Sequence, residues 1–371
     1  YPMAAGDSVL VKTSAGFDLS VWEYWWALGA GARVVIAEPD AERDGRELLR
    51  ILDRHRITVL PTVPSALAMI LDAGDPPATL TTVLCIGEEL PAELVSRMRS
   101  AAPETIVHNL YGPTEAAVSV TGHEVTTPPA GRVPIGCPQP AVTIRVLDSR
   151  LQPVPVGVAG ELYLGGIQLA RGYHADPART STAFVADPFS AEASGDRMYR
   201  TGDLVRRNRD GSLDYLGRTD HQLKVRGFRI EPGEIEAALR RCAGVVDAAV
   251  VALAGADGQD RLVGFVTGDD AQAEVVRREA AQLLPAYLRP EVHVLDALPH
   301  NDNGKIDRAR LPRPRPAERL YEAPQNELQQ RVATVLAEVT GAARIGLGDN
   351  FFDVGGNSLS ATRVAALLEA E

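Results

Sequence analysis

Cysteine is scarce in this 371-residue chain: Cys85, Cys137 and Cys242 stand far apart, and no C-x-x-C pair occurs. That spacing supports neither a disulfide framework nor a zinc knuckle, and reduced thiols in the cytoplasm are expected. No apolar run approaches the roughly 18 residues of a membrane span, so no membrane partner is expected. Basic residues do not dominate either, with 38 Lys+Arg against 49 Asp+Glu and a net charge of −11. A protein that coats nucleic acid needs a basic footprint, so no nucleic acid is expected, although a local site for a small phosphorylated ligand is compatible with that balance. The amino end, Tyr1-Pro2-Met3-Ala4, has neither an initiator Met nor a signal peptide, as expected of a chain entered in mid-protein. What remains is ordinary for globular domains: 45% hydrophobic and 23% charged residues, with enough Gly (33) and Pro (26) for many tight loops. The length predicts two to three domains.

The first stretch alternates in period. Arg33 to Ala37, Ile57 to Leu60 and Thr82 to Ile86 read as short buried strands, whereas Gly45 to His55, Ser65 to Leu71 and Pro91 to Ser100 read as helices, with Pro91 in a first turn. This alternation predicts an α/β layer with a mainly parallel sheet over 1–133. From 134 to 219, short runs such as Thr143 to Leu147, Glu161 to Leu164 and Leu213 to Leu216 lie between Gly, Pro and Asp turns, which predicts a β-rich subdomain. A compact α+β unit is expected over 220–311, with helices at Pro232 to Arg241 and Ala271 to Leu284 and strands at Ala248 to Ala252 and Leu262 to Thr267. Pro-rich residues 312–323 read as a linker. Residues 324–371 read as a helical unit, with helices at Asn326 to Val339 and from Ser358.

Eight short strings occur in order: F-D-L-S (17–20), N-L-Y-G-P-T-E (109–115), G-E-L-Y-L-G-G-I-Q-L-A-R-G-Y (160–173), Y-R-T-G-D-L (199–204), G-R-T-D-H-Q-L-K-V-R-G-F-R-I-E (217–231), L-P-A-Y-L (284–288), N-G-K-I-D-R (303–308) and D-N-F-F-D-V-G-G-N-S-L (349–359). Together they resemble the adenylation domain of nonribosomal peptide synthetases followed by a peptidyl carrier domain. The resemblance covers essentially the whole chain. It implies an α/β core with a β-rich subdomain, a small mobile α+β subdomain and an all-α carrier bundle. It also implies that an amino-acid carboxylate is joined to the α-phosphate of ATP, with Mg²⁺, and that the acyl group passes to a 4′-phosphopantetheine thiol.

Bringing a carboxylate to ATP sets two anions together, so positive charge and alignment are required. The resemblance gives the bridging cation to Lys305, phosphate contact to Thr114 and Mg²⁺ ligation to Glu115. It places adenine against Asn109, Tyr111 and Gly112, and ribose on Asp203 and Arg218. Asp220 matches the hinge of the small subdomain, and Lys224, Arg226 and Gly227 match the face that meets the carrier arm. Ser358 matches the serine modified by a phosphopantetheinyl transferase, with Asp353 as acidic docking surface. Generic alternatives exist for most of these: a solvated Lys in an Asn-Gly turn, a turn Asp after Gly, and an N-cap Ser.

In the substrate pocket, Asp18 matches the acid that pairs with an α-ammonium. Leu19, Trp22, Pro61, Leu84, Ile86, Leu110, Val118 and Ser119 match the lining. Only Ser119 and the Trp22 indole offer polar partners, so a small or aliphatic side chain is expected. Ile86 stands where the family usually has a smaller residue and shortens the pocket. The same residues also suit a plain core.

Two features depart from the family. Lys12-Thr13-Ser14-Ala15-Gly16 lacks the glycine repetition of a phosphate cradle and reads as the end of a strand, so the family's upstream phosphate loop is absent. The carrier domain is also cut. The chain is therefore expected to be a fragment of a larger synthetase, weakly active or inactive alone, with condensation and other synthetase domains as neighbours. The competing readings are an acyl- or aryl-CoA ligase of the same superfamily and an inert carrier or docking fragment.

Overall fold

The computed structural model describes residues 1–127, 131–190, 195–220, 222–225, 228–254, 260–301, 306–313, 322–342, 344–349, 351, 354, 364 and 367–368. The chain divides after Asp220 into two compact units.

In the first unit the edge strand at Arg33–Ile36, expected to be buried, leaves Arg33 and Ile36 exposed, whereas successive residues of the central strands take opposite faces, and both faces are buried. Val9, Val59 and Leu84 enter one apolar cluster, while Leu10, Leu60, Val83 and Cys85 enter another. Burial on both sides is why these strands read as unbroken apolar runs. The strands are β1 (Ser8–Val11), β2 (Arg33–Ile36), β3 (Val59–Thr62), β4 (Thr82–Cys85) and β5 (Ile106–Tyr111), parallel in the order β2-β1-β3-β4-β5. β6 (Thr121–Glu124) and β7 (Cys137–Pro138) extend that sheet in antiparallel fashion. Helix α1 (Leu19–Gly29) contributes Leu19 and Ala27 to the first cluster. Helices α2 (Gly45–Arg54), α3 (Pro64–Ala73) and α4 (Ala92–Ala101) supply Leu48, Leu52, Leu67, Ile70, Val95 and Met98 to the second.

Local chemistry fixes the ends of these helices. The Asp44 carboxylate accepts from the backbone N–H groups of Arg46 (2.9 Å) and Glu47 (3.3 Å) and starts α2. Pro91, expected inside the first turn of α4, stands one residue before it in extended conformation. The strand expected at Ile57 to Leu60 begins two residues later, because the Ile57 N–H is still engaged by Leu52 O beyond the end of α2.

The rest of the first unit is a second sheet. β8 (Val142–Leu147), β9 (Ala159–Gly166), β10 (Phe184–Ala186) and β11 (Arg197–Arg207) run in the order β10-β11-β9-β8, with β12 (Leu213–Arg218) also on β11. A short helix, α5 (Pro177–Ala183), precedes β10.

The second unit opens with a hairpin of β13 (Leu223–Val225) and β14 (Phe228–Ile230). Helix α6 (Pro232–Leu239), β15 (Asp247–Ala254), β16 (Asp260–Thr267), α7 (Ala273–Leu283) and β17 (Glu291–Val294) follow. β15 and β16 are antiparallel, β16 and β17 parallel, and Ile235, Leu239, Val250, Val266 and Val276 form the core. Helix α8 (Glu327–Thr340) is capped by the Asn326 side chain on Gln329 N and ends at Gly341, which has φ 71°. The helix expected from Ser358 falls almost wholly outside the described residues. Among the described residues no helix is long and apolar enough to cross a membrane. Cys85 and Cys242 are buried and Cys137 is exposed, all three as free thiols.

Candidate active site

T-G-D lies where β11 breaks its pairing with β9. Arg200 pairs with Tyr163 and Leu204 with Glu161, so Thr201, Gly202 and Asp203 bulge opposite Leu162 alone. The Thr201 hydroxyl repairs the gap, donating to Leu162 O (2.7 Å) and accepting from Asp203 N (2.9 Å). Gly202 has φ 74°, a conformation glycine adopts without strain. The bulge turns the Asp203 carboxylate inward, where it is almost fully buried. One of its oxygens accepts from the Tyr111 hydroxyl, and Arg218 Nη1 lies 2.6 Å from the other. Burial pushes the Tyr111 phenol well above its ordinary range, and the Asp203 charge adds to the rise. Arg218 also grips Asp220 through Nε (2.7 Å) and Nη2 (2.8 Å), so one guanidinium joins the bulge to the last residue of the unit.

A second focus lies at the head of α1. Asp18 precedes that helix without capping it. Burial raises its carboxyl above the usual aspartate range; the Thr114 side chain opposes the rise and the Glu115 charge adds to it. Thr114 and Glu115 occupy a single 3-10 turn, Thr114–Ala116, after Pro113. Glu115 is buried, with Oε1 accepting from the Tyr173 hydroxyl at 2.6 Å. Next to Asp18, one apolar cluster gathers Leu19, Leu84, Ile86 and Leu110, with Trp22 and Val118 packed against it. Pro61 is buried in β3, beside Leu84 on β4 in register. Asn109 Nδ2 donates to Pro134 O at 2.8 Å.

The lining ends in a strained turn. Ala117 and Val118 have φ of 56° and 72°, and Ser119 N donates to Ala117 O at 2.9 Å. That hydrogen bond makes Val118 the centre of a γ-turn of the rare hand. Residues held in such conformations cost about 1–3 kcal/mol each. Gly112 lies beneath: a Cβ there would stand 2.5 Å from Val118 O and 2.6 Å from Ser119 Cα. Gly112→Ala is therefore expected to displace the turn and lower stability by about 1–3 kcal/mol, as overpacking does. A melting curve unchanged from the parent would contradict that.

Of the residues expected to act, the structure brings Asp18, Thr114 and Glu115 together, and joins Tyr111, Asp203, Arg218 and Asp220. Lys305, Ser358, Asp353, Arg226 and Gly227 lie outside the described residues, and Lys224 lies in β13. Sequence reasoning gave no role to Tyr173, Gln139 or Gln168. Tyr173 and Gln168 were at least inside the quoted G-E-L-Y string; Gln139 had no signal.

The residues suit the expected cofactors. Among the described residues no group of three or more His, Cys, Asp or Glu could hold a metal ion alone. Glu115 by itself suits a Mg²⁺ that arrives on nucleotide phosphates, since Mg²⁺ is commonly held by one or two carboxylates plus phosphate oxygens.

Comparison with known proteins bears on the family of the chain. The AMP-binding enzyme family matches residues 1–174, the AMP-binding enzyme C-terminal domain 234–305, and the phosphopantetheine attachment site 330–371. Phosphinothricin tripeptide synthetase PhsB of Streptomyces viridochromogenes is 45% identical over 98% of this chain, which covers 31% of that protein. Enterobactin synthase component F of Escherichia coli is 40% identical over 100% of the chain, covering 30% of that protein. Holo-PA1221, a nonribosomal peptide synthetase protein with adenylation and carrier domains bound to a vinylsulfonamide inhibitor, superposes with a TM-score of 0.81 at 29% identity, over 100% of this chain and 62% of its own. The chain thus spans under a third of these two curated relatives.

Proposed function

Since the chain belongs to the AMP-binding enzymes and carries, in order, the adenylation and carrier regions of a nonribosomal peptide synthetase, we propose that it activates an α-amino acid with a small or aliphatic side chain as its adenylate and loads it onto its own carrier region. ATP with Mg²⁺ and 4′-phosphopantetheine are the cofactors of these matched families. The observation that carries the amino-acid reading is Asp18, a carboxylate beside a cluster that is otherwise apolar.

In this reading Asp18 pairs with the α-ammonium and holds the substrate carboxylate outward. Leu19, Trp22, Pro61, Leu84, Ile86, Leu110, Val118 and Ser119 enclose the side chain and exclude water. Asp203, held by Arg218, accepts from the ribose hydroxyls; Asn109, Tyr111 and Gly112 border the adenine. Thr114 contacts phosphate, Glu115 holds Mg²⁺, and Lys305 offsets the charge that builds as the carboxylate meets the α-phosphate, releasing pyrophosphate. Asp220 is the pivot that exchanges Lys305 for the segment of Lys224, Arg226 and Gly227. The pantetheine thiol supplies the acceptor nucleophile when attached at Ser358 by a phosphopantetheinyl transferase. We also place the domain limits at 1–133, 134–219, 220–311, 312–323 and 324–371, with neighbouring synthetase domains as partners.

The test is ATP–pyrophosphate exchange by the complete module across a panel of amino acids. Exchange driven by a small or aliphatic amino acid is expected. Exchange driven only by fatty or aryl acids would replace this reading with that of a CoA ligase, and exchange with no acid would leave a carrier fragment.

A further inference from the structure

The strained turn at Ala117–Ser119 is held at Ser119 by two side-chain amides. Gln139 Nε2 donates to Ser119 Oγ at 2.8 Å, and Ser119 Oγ in turn donates to Thr121 O at 3.2 Å. The Gln139 backbone is itself fixed, its N–H on Val120 O at 2.9 Å, directly after β7. Gln168 Nε2 donates to Ser119 O at 3.3 Å. Its other amide atom, Oε1, is buried with no hydrogen-bond partner. Flipping the amide would set that oxygen against the Ser119 carbonyl, acceptor to acceptor, so the orientation is decided by its neighbour. Buried polar atoms are rarely left in this state.

We infer that Gln139 and Gln168 set the side-chain selectivity of this chain as positioning residues, by clamping the strained turn that presents Val118 to the substrate pocket. The inference rests on the amino-acid reading above. A β-branched residue at positive φ reverts to the extended or helical region when its restraints are lost. Val118 packs against the cluster of Leu84, Ile86 and Leu110, so its reversion changes the depth of the lining without altering any lining residue. The clamp therefore acts through Val118, and neither glutamine needs to touch the substrate.

The experiment uses the complete module, with Gln139→Leu, Gln168→Leu and Gln168→Met compared by ATP–pyrophosphate exchange. It reads the ratio of kcat/KM for the preferred amino acid to that for the homologue longer by one methylene. A methylene in an apolar pocket is worth about 10–200-fold, so a loss of selectivity on the order of tenfold is expected. The change should lie mainly in KM, with kcat for the preferred amino acid kept within about threefold. Adding Ala117→Gly to Gln139→Leu is expected to restore part of the ratio, because glycine takes the positive φ at 117 without strain and so lowers the cost of the turn that holds Val118. Melting curves separate folded variants from unfolded ones, and Gln168→Met serves if Gln168→Leu does not fold. A ratio unchanged within about twofold, or an equal fall in kcat for both amino acids with no rescue by Ala117→Gly, overturns the inference alone. An unsubstituted module that responds to no amino acid overturns the amino-acid reading and this inference with it.

Discussion

Asp18→Ala in the complete module is expected to lower kcat/KM for amino-acid-dependent exchange by about 10²–10⁴-fold, because removing one partner of a buried ion pair costs roughly 3–5 kcal/mol. The same site should show the opposite sign in stability. Burial holds the Asp18 carboxyl above the usual aspartate value, which is about 3.9 in water. Below that value folded and unfolded chains are both protonated there, and the site contributes no pH-dependent cost. Between that value and the elevated folded one the unfolded chain gives up the proton and the folded chain keeps it, so the cost of folding grows as pH rises and is complete above the folded value. Asp18→Asn should therefore melt higher than the parent at pH 7, with the gain shrinking as pH falls towards about 4. A gain that grows on acidification, or a variant that melts lower at pH 7, would show that the carboxylate has a stabilising partner in the free protein.

Arg218→Met is expected to destabilise the first unit by about 3–5 kcal/mol, since it strands a buried carboxylate. Asp203 and Arg218 have only 4% and 9% of their side chains exposed, at 2.6 Å from each other. For a unit of this size that is a drop of roughly 6–20 °C in Tm. Asp203→Leu combined with Arg218→Met should recover much of the loss, because the uncompensated charge is gone. Calorimetry on the parent, both single variants and the double variant measures the coupling. Additive losses would mean that the two side chains are independently solvated. The share of Asp220 in this network is smaller, since its side chain is 49% exposed and water screens the pair.

The parts of the fold written in local chemistry were legible in the sequence. Leu48 and Leu52 at helical spacing give α2, and the apolar run from Thr82 gives β4. β11 was hidden, although it is the longest strand among the described residues. Its eleven residues, R-M-Y-R-T-G-D-L-V-R-R, contain a glycine and five charges, and the bulge shifts its pairing halfway along. In the site, each motif could be matched to a role, but not to its neighbours. Tyr111 and Asp203 are 92 residues apart, and Glu115 and Tyr173 are 58 apart. Contacts of that separation leave no periodicity behind. The strain at Val118 was invisible for a related reason: neither residue with positive φ is Gly, Asn or Asp, the types that announce such a turn.

The unequal exposure of the three thiols bears on how the carrier region can be labelled. Cys85 is fully buried, and burial pushes its thiol up to about 12; Cys242 is buried and its thiol also raised. Neither offers a thiolate to an alkylating reagent near neutrality. Cys137 is exposed, so a maleimide dye meant for a pantetheine sulfur would also stain β7, the antiparallel edge of the first sheet. A Cys137→Ser background leaves the prosthetic arm as the dominant reactive sulfur, and turns a gel band into a count of modified carriers.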